Sequence, residues 1–279
     1  MNRRELLFAT TVGVGVTSLA GCLGDDDASE PDAETLIESA GTSLATAADE
    51  LAAAVDDAYD PAATDSHTID TGPILDPLDD AADDLETARG TATDDQLDRI
   101  EALEGTIDVL RDLVEAYVAL GDAFDEYDSG DRSLGSNQFE EAIAAFERAE
   151  DHVVDATDHL SVARSTLESI DRDVLDDLGH VDRSELADVI DELDDLFTAM
   201  EYLTVGMAEL SAAMVPYEEA EMALDADRFE DAADAFAESS TLFETAHATF
   251  DEGREDAGLD HFEAGEATLA DCEGEGIEF

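Results

Sequence analysis

The chain of 279 residues has no lysine, no tryptophan, five prolines and two cysteines. Each shortage excludes something. All twelve basic residues are arginine, set against seventy-six acidic ones, so no basic patch can neutralise phosphates and nucleic acid is excluded as a partner. Cys22 and Cys272 alone cannot build a disulfide scaffold, and one thiol in a polar tail is not a zinc site. The most apolar stretch, Phe8 to Ala20, is about thirteen residues, short of the roughly twenty needed to cross a bilayer as a helix. No Gly-x-Ser-x-Gly, phosphate loop or dinucleotide fingerprint occurs. Carboxylate pairs are so common that none marks an acid–base centre. Neither an enzyme nor a cofactor is expected.

The N-terminus carries the clearest positive signal. Arg3 and Arg4 precede the apolar stretch, which is diluted by Gly13, Gly15 and several Thr, and Leu19-Ala20-Gly21-Cys22 follows. Paired arginines before a mildly apolar segment fit a twin-arginine signal better than a general secretory one. The segment resembles the twin-arginine pattern Ser/Thr-Arg-Arg-x-Phe-Leu-Lys, with Asn2, Leu6 and Phe8 replacing three of its positions. Leu19 to Cys22 resembles a lipobox. The resemblance implies cleavage after residue 21, a lipid on the Cys22 sulfur, and folding before export. The competing reading is an uncleaved N-terminal anchor or a chance cysteine. Residues 22–33 then form an acidic tether, rich in helix breakers, that spans roughly 35 Å if fully extended.

The formal charge is −64. At ordinary ionic strength such self-repulsion opposes a compact state, whereas molar salt shortens the Debye length to about 3 Å and screens it. Abundant acid, absent lysine and many alanines resemble the proteins of halophilic archaea. Because the acid is spread along the whole chain, it reads as a solvated surface in brine and not as a cation store.

From residue 34 to about 258 the pattern is helical, with apolar residues three and four apart. Between Asn137 and Val174 the large register is Phe139, Phe146, Val153, Leu160, Leu167 and Val174, and Ala142, Ala149, Ala156 and Ala163 hold a small one. Phe229, Phe236, Phe243 and Phe250 repeat the large register, with Ala232, Ser239, Ala246 and Gly253 beside them. Met200, Met207 and Met214 share a heptad position and are read as core. The expected fold class is all-α, a bundle of long antiparallel helical hairpins with coiled-coil-like heptads. Helices are expected at 34–58 and 74–90, followed by units at about 94–174 and 183–256, with a flexible acidic tail at 259–279. Turns are expected at Tyr59 to Pro73, Ser129 to Gly135 and Leu178 to His180, and a kink or break at Pro216.

A shift of ninety residues aligns the chain with itself without gaps. Leu134 to Phe146 overlays Leu224 to Phe236, and Ile100, Leu103, Leu120 and Tyr127 meet Ile190, Leu193, Leu210 and Tyr217. A duplicated hairpin unit is expected, because one helix cannot bury its apolar face alone. Gln138-Phe139-Glu-Glu-Ala142 through Ala149, and Arg228-Phe229-Glu-Asp-Ala232 through Phe236, resemble the turn and second helix of a tetratricopeptide (TPR) repeat. The period of ninety and the long first helices depart from that family, so its peptide groove is not carried over.

Few residues suggest a metal. Glu244-Thr-Ala-His247 has the Glu-x-x-His spacing of carboxylate-bridged bundles, but Val154-Asp-Ala-Thr157 stands at the equivalent place, so half the motif is missing. His152, Asp155 and His159 share a helix face and are the weak candidates for a divalent ion; no metal site is expected. His67 and His180 lack ligand spacing. Cys272 is left as a free thiol or an intermolecular disulfide. The functional expectation is a non-enzymatic interaction scaffold, lipid-anchored on the extracytoplasmic face of the cell membrane, with an envelope protein as partner. The alternative is a cation- or small-solute-binding lipoprotein associated with a transporter, which needs a cleft between the two hairpin units.

Overall fold

The computed structural model describes residues 31–58 and 68–256; 89% of these are helical, and none is in a strand. Seven helices follow in order: α1 (Ala33–Ala58), α2 (Gly72–Arg89), α3 (Asp94–Leu134), α4 (Phe139–Ser169), α5 (Arg172–Leu178), α6 (Arg183–Asp225) and α7 (Phe229–Asp256). The all-α expectation holds. Arg3, Arg4, Cys22, most of the tether, His67, Cys272 and the acidic tail lie outside the described residues.

Helix starts are set by short polar side chains that accept from the free N–H groups of the first turn. Asp32 accepts from Thr35 N at 2.9 Å before α1, Asp171 from Asp173 N at 3.0 Å before α5, and Asp182 from Ser184 N at 2.8 Å before α6. Before α3, the Gln96 side chain reaches back to Thr93 N at 3.0 Å. Proline at the start of α2 lacks an N–H that would have no partner there, so this helix begins at Gly72, two residues earlier than the pattern suggests.

The chain divides into two compact units, which do not coincide with the two hairpins. The first takes residues 31–57, 70–107 and 170–181: α1, α2, the beginning of α3, and α5. In it Ile37, Leu44 and Ala40, Ala47 of α1, and Ile74, Leu78, Ala81, Leu85 and Ala88 of α2, are fully buried. The spacings of three and four that repeat along both helices produce those buried stripes.

The second unit takes, of the described residues, 58, 68–69, 108–169 and 182–256, with the rest of α3, α4, α6 and α7. The turns of its two hairpins share their geometry at an offset of ninety. After α3, Asn137 adopts φ 58°, and after α6, Asp227 adopts φ 56°. Asn137 N donates to Leu134 O at 3.0 Å and Gln138 N to Ser133 O at 2.9 Å; Asp227 N donates to Leu224 O at 3.0 Å and Arg228 N to Ala223 O at 2.8 Å. These paired bonds end each helix on a left-handed residue, with Asn and Asp tolerating the conformation glycine usually supplies. Behind each turn a tyrosine meets a phenylalanine edge-on: Tyr127 and Phe146 at 5.4 Å and 60°, Tyr217 and Phe236 at 5.7 Å and 66°. In both hairpins the helices run antiparallel, and α4 lies antiparallel to α6, with Arg164 reaching Asp191 and Asp194.

Four expectations need correction. The turn assigned to Ser129–Gly135 is helical up to Leu134; Gly130 is buried there, and a Cβ on it would come within 2.6–2.8 Å of the Phe146 ring. The small residue admits an aromatic ring and does not end the helix. The register drawn through Val174 is interrupted, because Asp171 caps a separate short helix after α4 ends at Ser169. Pro216 does not break α6, which runs unbroken to Asp225. Proline removes the backbone donor to the Ala212 carbonyl, and at the next residue the buried Ser239 hydroxyl of α7 donates to the Ala213 carbonyl at 2.9 Å, tying α7 to this turn of α6. Finally, Phe229 is not core: it is 65% exposed. The turn at Gly179 is where it was expected, at φ 65°.

The two hairpins solve one packing problem in different ways. Gly206 of α6 lies under the Phe250 ring, where a Cβ would approach to 2.5–2.8 Å. The equivalent residues of the first hairpin, Ala116 and Leu160, are both buried. Gly206→Ala should therefore cost about 1–3 kcal/mol from overpacking. Adding Phe250→Leu should recover most of that loss, because the pair then copies Ala116 and Leu160. Denaturant unfolding of both variants in molar salt reads the difference; equal stability of the single and double variants would refute the equivalence.

Candidate functional site

The three weak metal candidates do not converge. On α4, Asp155 is exposed, and the His159 ring turns to Asp112 of α3, with Nδ1 3.6 Å from the carboxylate. Burial pushes the Asp112 carboxyl up, and the nearby His159 works against that shift. His247 of the incomplete Glu-x-x-His instead lies 3.3 Å from Asp251, one turn along the same helix. Among the described residues no group of three or more His, Cys, Asp or Glu side chains is arranged to hold a metal ion. His159 is thus engaged by the neighbouring helix α3.

His180 is a packing residue. Its ring lies over Gly41 of α1 within the first unit, where a Cβ would collide with it. Tyr127 is similarly unsuited to proton transfer. Burial, followed by the charges of Asp131 and Asp128, pushes its phenol up to about 12, so it remains a neutral aromatic wall.

The first unit carries one polar depression that sequence reasoning missed. Asp95, Asp98 and Arg99 at the start of α3, with Val174 and Asp177 of α5, line an open cleft of about 500 Å³. Arg99 is already engaged, donating to both Glu34 oxygens at 2.7 and 2.8 Å. Arg99, then Gln96, hold the Glu34 carboxyl below its ordinary range. The cleft thus presents three aspartates, and its lining offers a hydrated cation or a basic group attraction without a fixed coordination shell. Aspartate is too common along the chain for these three to have stood out.

The scarce arginines have a consistent use. Among the described residues at least seven form ion pairs, and four of these join different helices: Arg89 to Glu104, Arg99 to Glu34, Arg148 to Glu126, and Arg164 to Asp191 and Asp194. Exposed pairs of this kind contribute at most about 1 kcal/mol each, so they relieve repulsion more than they drive folding. Where no arginine intervenes, carboxylates crowd. Burial, then Asp151, Glu201, Glu147 and Glu209, push the Glu150 carboxyl of α4 upward.

No helix of the described residues is long and apolar enough to cross a membrane. No protein-family model matches the chain, and no curated protein or solved structure is significantly similar to it.

A raised carboxyl means the folded state binds the Glu150 proton more tightly than the unfolded chain does. Its charge therefore weakens the fold at neutral pH, and the penalty is relieved as pH falls through the raised value. Glu150→Gln should raise the melting temperature at pH 7 and low salt by about 1–2 °C. The gain should shrink in molar salt, and also as the pH falls toward the carboxylate range. Melting curves across pH and salt check this, and a gain independent of both would refute it.

Proposed function

We propose that the protein is exported by the twin-arginine route, lipidated on Cys22, and held on the outer face of the cell membrane as a non-enzymatic interaction scaffold. The ordered sequence Arg3-Arg4, apolar stretch, Leu19-Ala20-Gly21-Cys22 carries the address. In the sequence, residues 23–32, between this motif and the first described helix at Ala33, are acidic and rich in helix breakers. The hairpin geometry that recurs ninety residues apart supports the scaffold reading, because such units add surface without building an enclosed pocket. We read the hairpins as TPR-like in their turn and second helix, and the acidic surface as that of a halophile.

The cleft lined by Asp95, Asp98 and Asp177 favours a second reading, a cation- or small-solute-binding lipoprotein serving a transporter. It lies within the first unit and not between the hairpins, where that reading had required it. Calorimetry with divalent cations and with polyamines in high salt tests it; heats no larger than dilution would remove it.

Replacing Arg3 and Arg4 by lysine should leave the precursor inside the cell, and Cys22→Ala should release the exported chain from the membrane fraction. Fractionation and mass analysis of the N-terminal peptide read both outcomes. A membrane-bound Cys22→Ala chain with an unmodified N-terminus would contradict the lipid anchor.

A further inference from the structure

The strongest contrast in the molecule is between two residues that occupy the same place in the repeat. Phe139 opens α4 and is 7% exposed; Phe229 opens α7 and is 65% exposed. Their turns have the same backbone geometry, so the difference lies in what covers them. A further hairpin follows α4 and packs α6 along it, while no further helix follows α7 among the described residues. Terminal units of repeat proteins ordinarily end in a polar outer face. Here the uncovered turn keeps its phenylalanine and adds two more apolar side chains, Met222 at 55% and Leu224 at 42% exposure. Phe236, the next residue of the register, is half-buried, whereas its counterpart Phe146 is fully buried. Part of that shift has a local cause, since Ala220 stands where Gly130 admits the Phe146 ring.

The charge around this turn indicates what the occupant must be. Residues 218–231 carry seven exposed carboxylates, while the equivalent residues 128–141 carry four. Arg228, the one basic residue of 218–231, is paired with Asp231, so the segment stays strongly acidic. An apolar patch in acidic surroundings complements an apolar pocket with a basic rim. A second copy fits poorly. A two-fold contact would bring the same acidic segment against itself. The three side chains also leave only roughly 300 Å² exposed, against the ~800 Å² per partner of a stable interface. The C-terminal residues 257–279 also fit poorly, because they carry seven carboxylates and no arginine or lysine, and so offer no basic rim. A patch of this size acts instead as an anchor, in which one aromatic side chain fills a pocket and its rim supplies orientation.

We propose that the tip of the α6–α7 hairpin is a docking knob, in which Phe229, flanked by Met222 and Leu224, inserts into an apolar pocket of another protein whose rim carries arginine or lysine. The proposal rests on the scaffold reading and names the surface that reading uses.

The test places p-benzoylphenylalanine at position 229 of the full chain and irradiates it in the producing cells in molar salt. The same probe at Val154, which is 48% exposed and remote from the turn, serves as control. One heterologous protein should be captured from position 229 and not from 154, and the cross-linked peptide should adjoin arginine or lysine. That protein, once purified, should bind the intact chain at least about tenfold more tightly than the Phe229→Asp variant. The variant should melt within about 1 °C of the parent, because its side chain is already exposed. Capture of a second copy, of residues 257–279 or of lipid would overturn the proposal, as would no capture or undiminished binding by Phe229→Asp. A pull-down with the intact chain separates the two readings. A partner retained despite Phe229→Asp leaves the scaffold standing without this surface, whereas no partner under any condition removes both.

Discussion

Close approach of helices across small residues holds the second unit together, and everything else there is arranged around it. Ala142, Ala149, Ala156 and Ala163 of α4, and Ala232, Ser239 and Ala246 of α7, are all buried. They let the facing helix come near enough for Phe146, Phe197, Phe243 and Phe250 to fill the space between. Where even alanine is too large, glycine stands, as at Gly130 under Phe146 and Gly206 under Phe250. Burial of this kind contributes about 25 cal/mol for each Å² of apolar surface, spread along helices of up to 43 residues. It is opposed by the repulsion among carboxylates that cover the outer faces of the same helices.

That opposition explains how the few cations are placed. An arginine that bridges helices, such as Arg164 between Asp191 and Asp194, offsets repulsion where two acidic faces meet. Glu150, facing Glu201 and Glu209 with no arginine between, shows the local consequence in its raised carboxyl. The balance between seam and surface is therefore set largely by ionic strength.

Much of this was legible in the sequence, because heptad periodicity and the ninety-residue self-alignment both follow from side-chain size. The seam positions of α4 and the Gly179 turn were read directly. What failed was any inference that depended on a neighbour. Gly130 looked like a turn residue because the ring that occupies its empty side comes from another helix. Pro216 looked like a break because the packing that holds its stretch of α6, including the Ser239 bond to Ala213, comes from another helix. Phe229 looked like core because its register is that of Phe139, and only the end of the stack distinguishes them. The aspartates of the cleft carried no signal at all, being indistinguishable in type from dozens of solvated ones.

Apolar seams fold this chain against a surface repulsion that salt must screen. Thermal unfolding of the purified full chain, followed by helical circular dichroism from 0.1 to 3 M KCl, tests it most directly. The Debye length falls from about 10 Å to about 3 Å between 0.1 and 1 M. The melting temperature should rise by about 10 °C or more over that interval and then level off, with helical signal reduced at the low end. A melting temperature and helical signal unchanged across the whole range would contradict the claim.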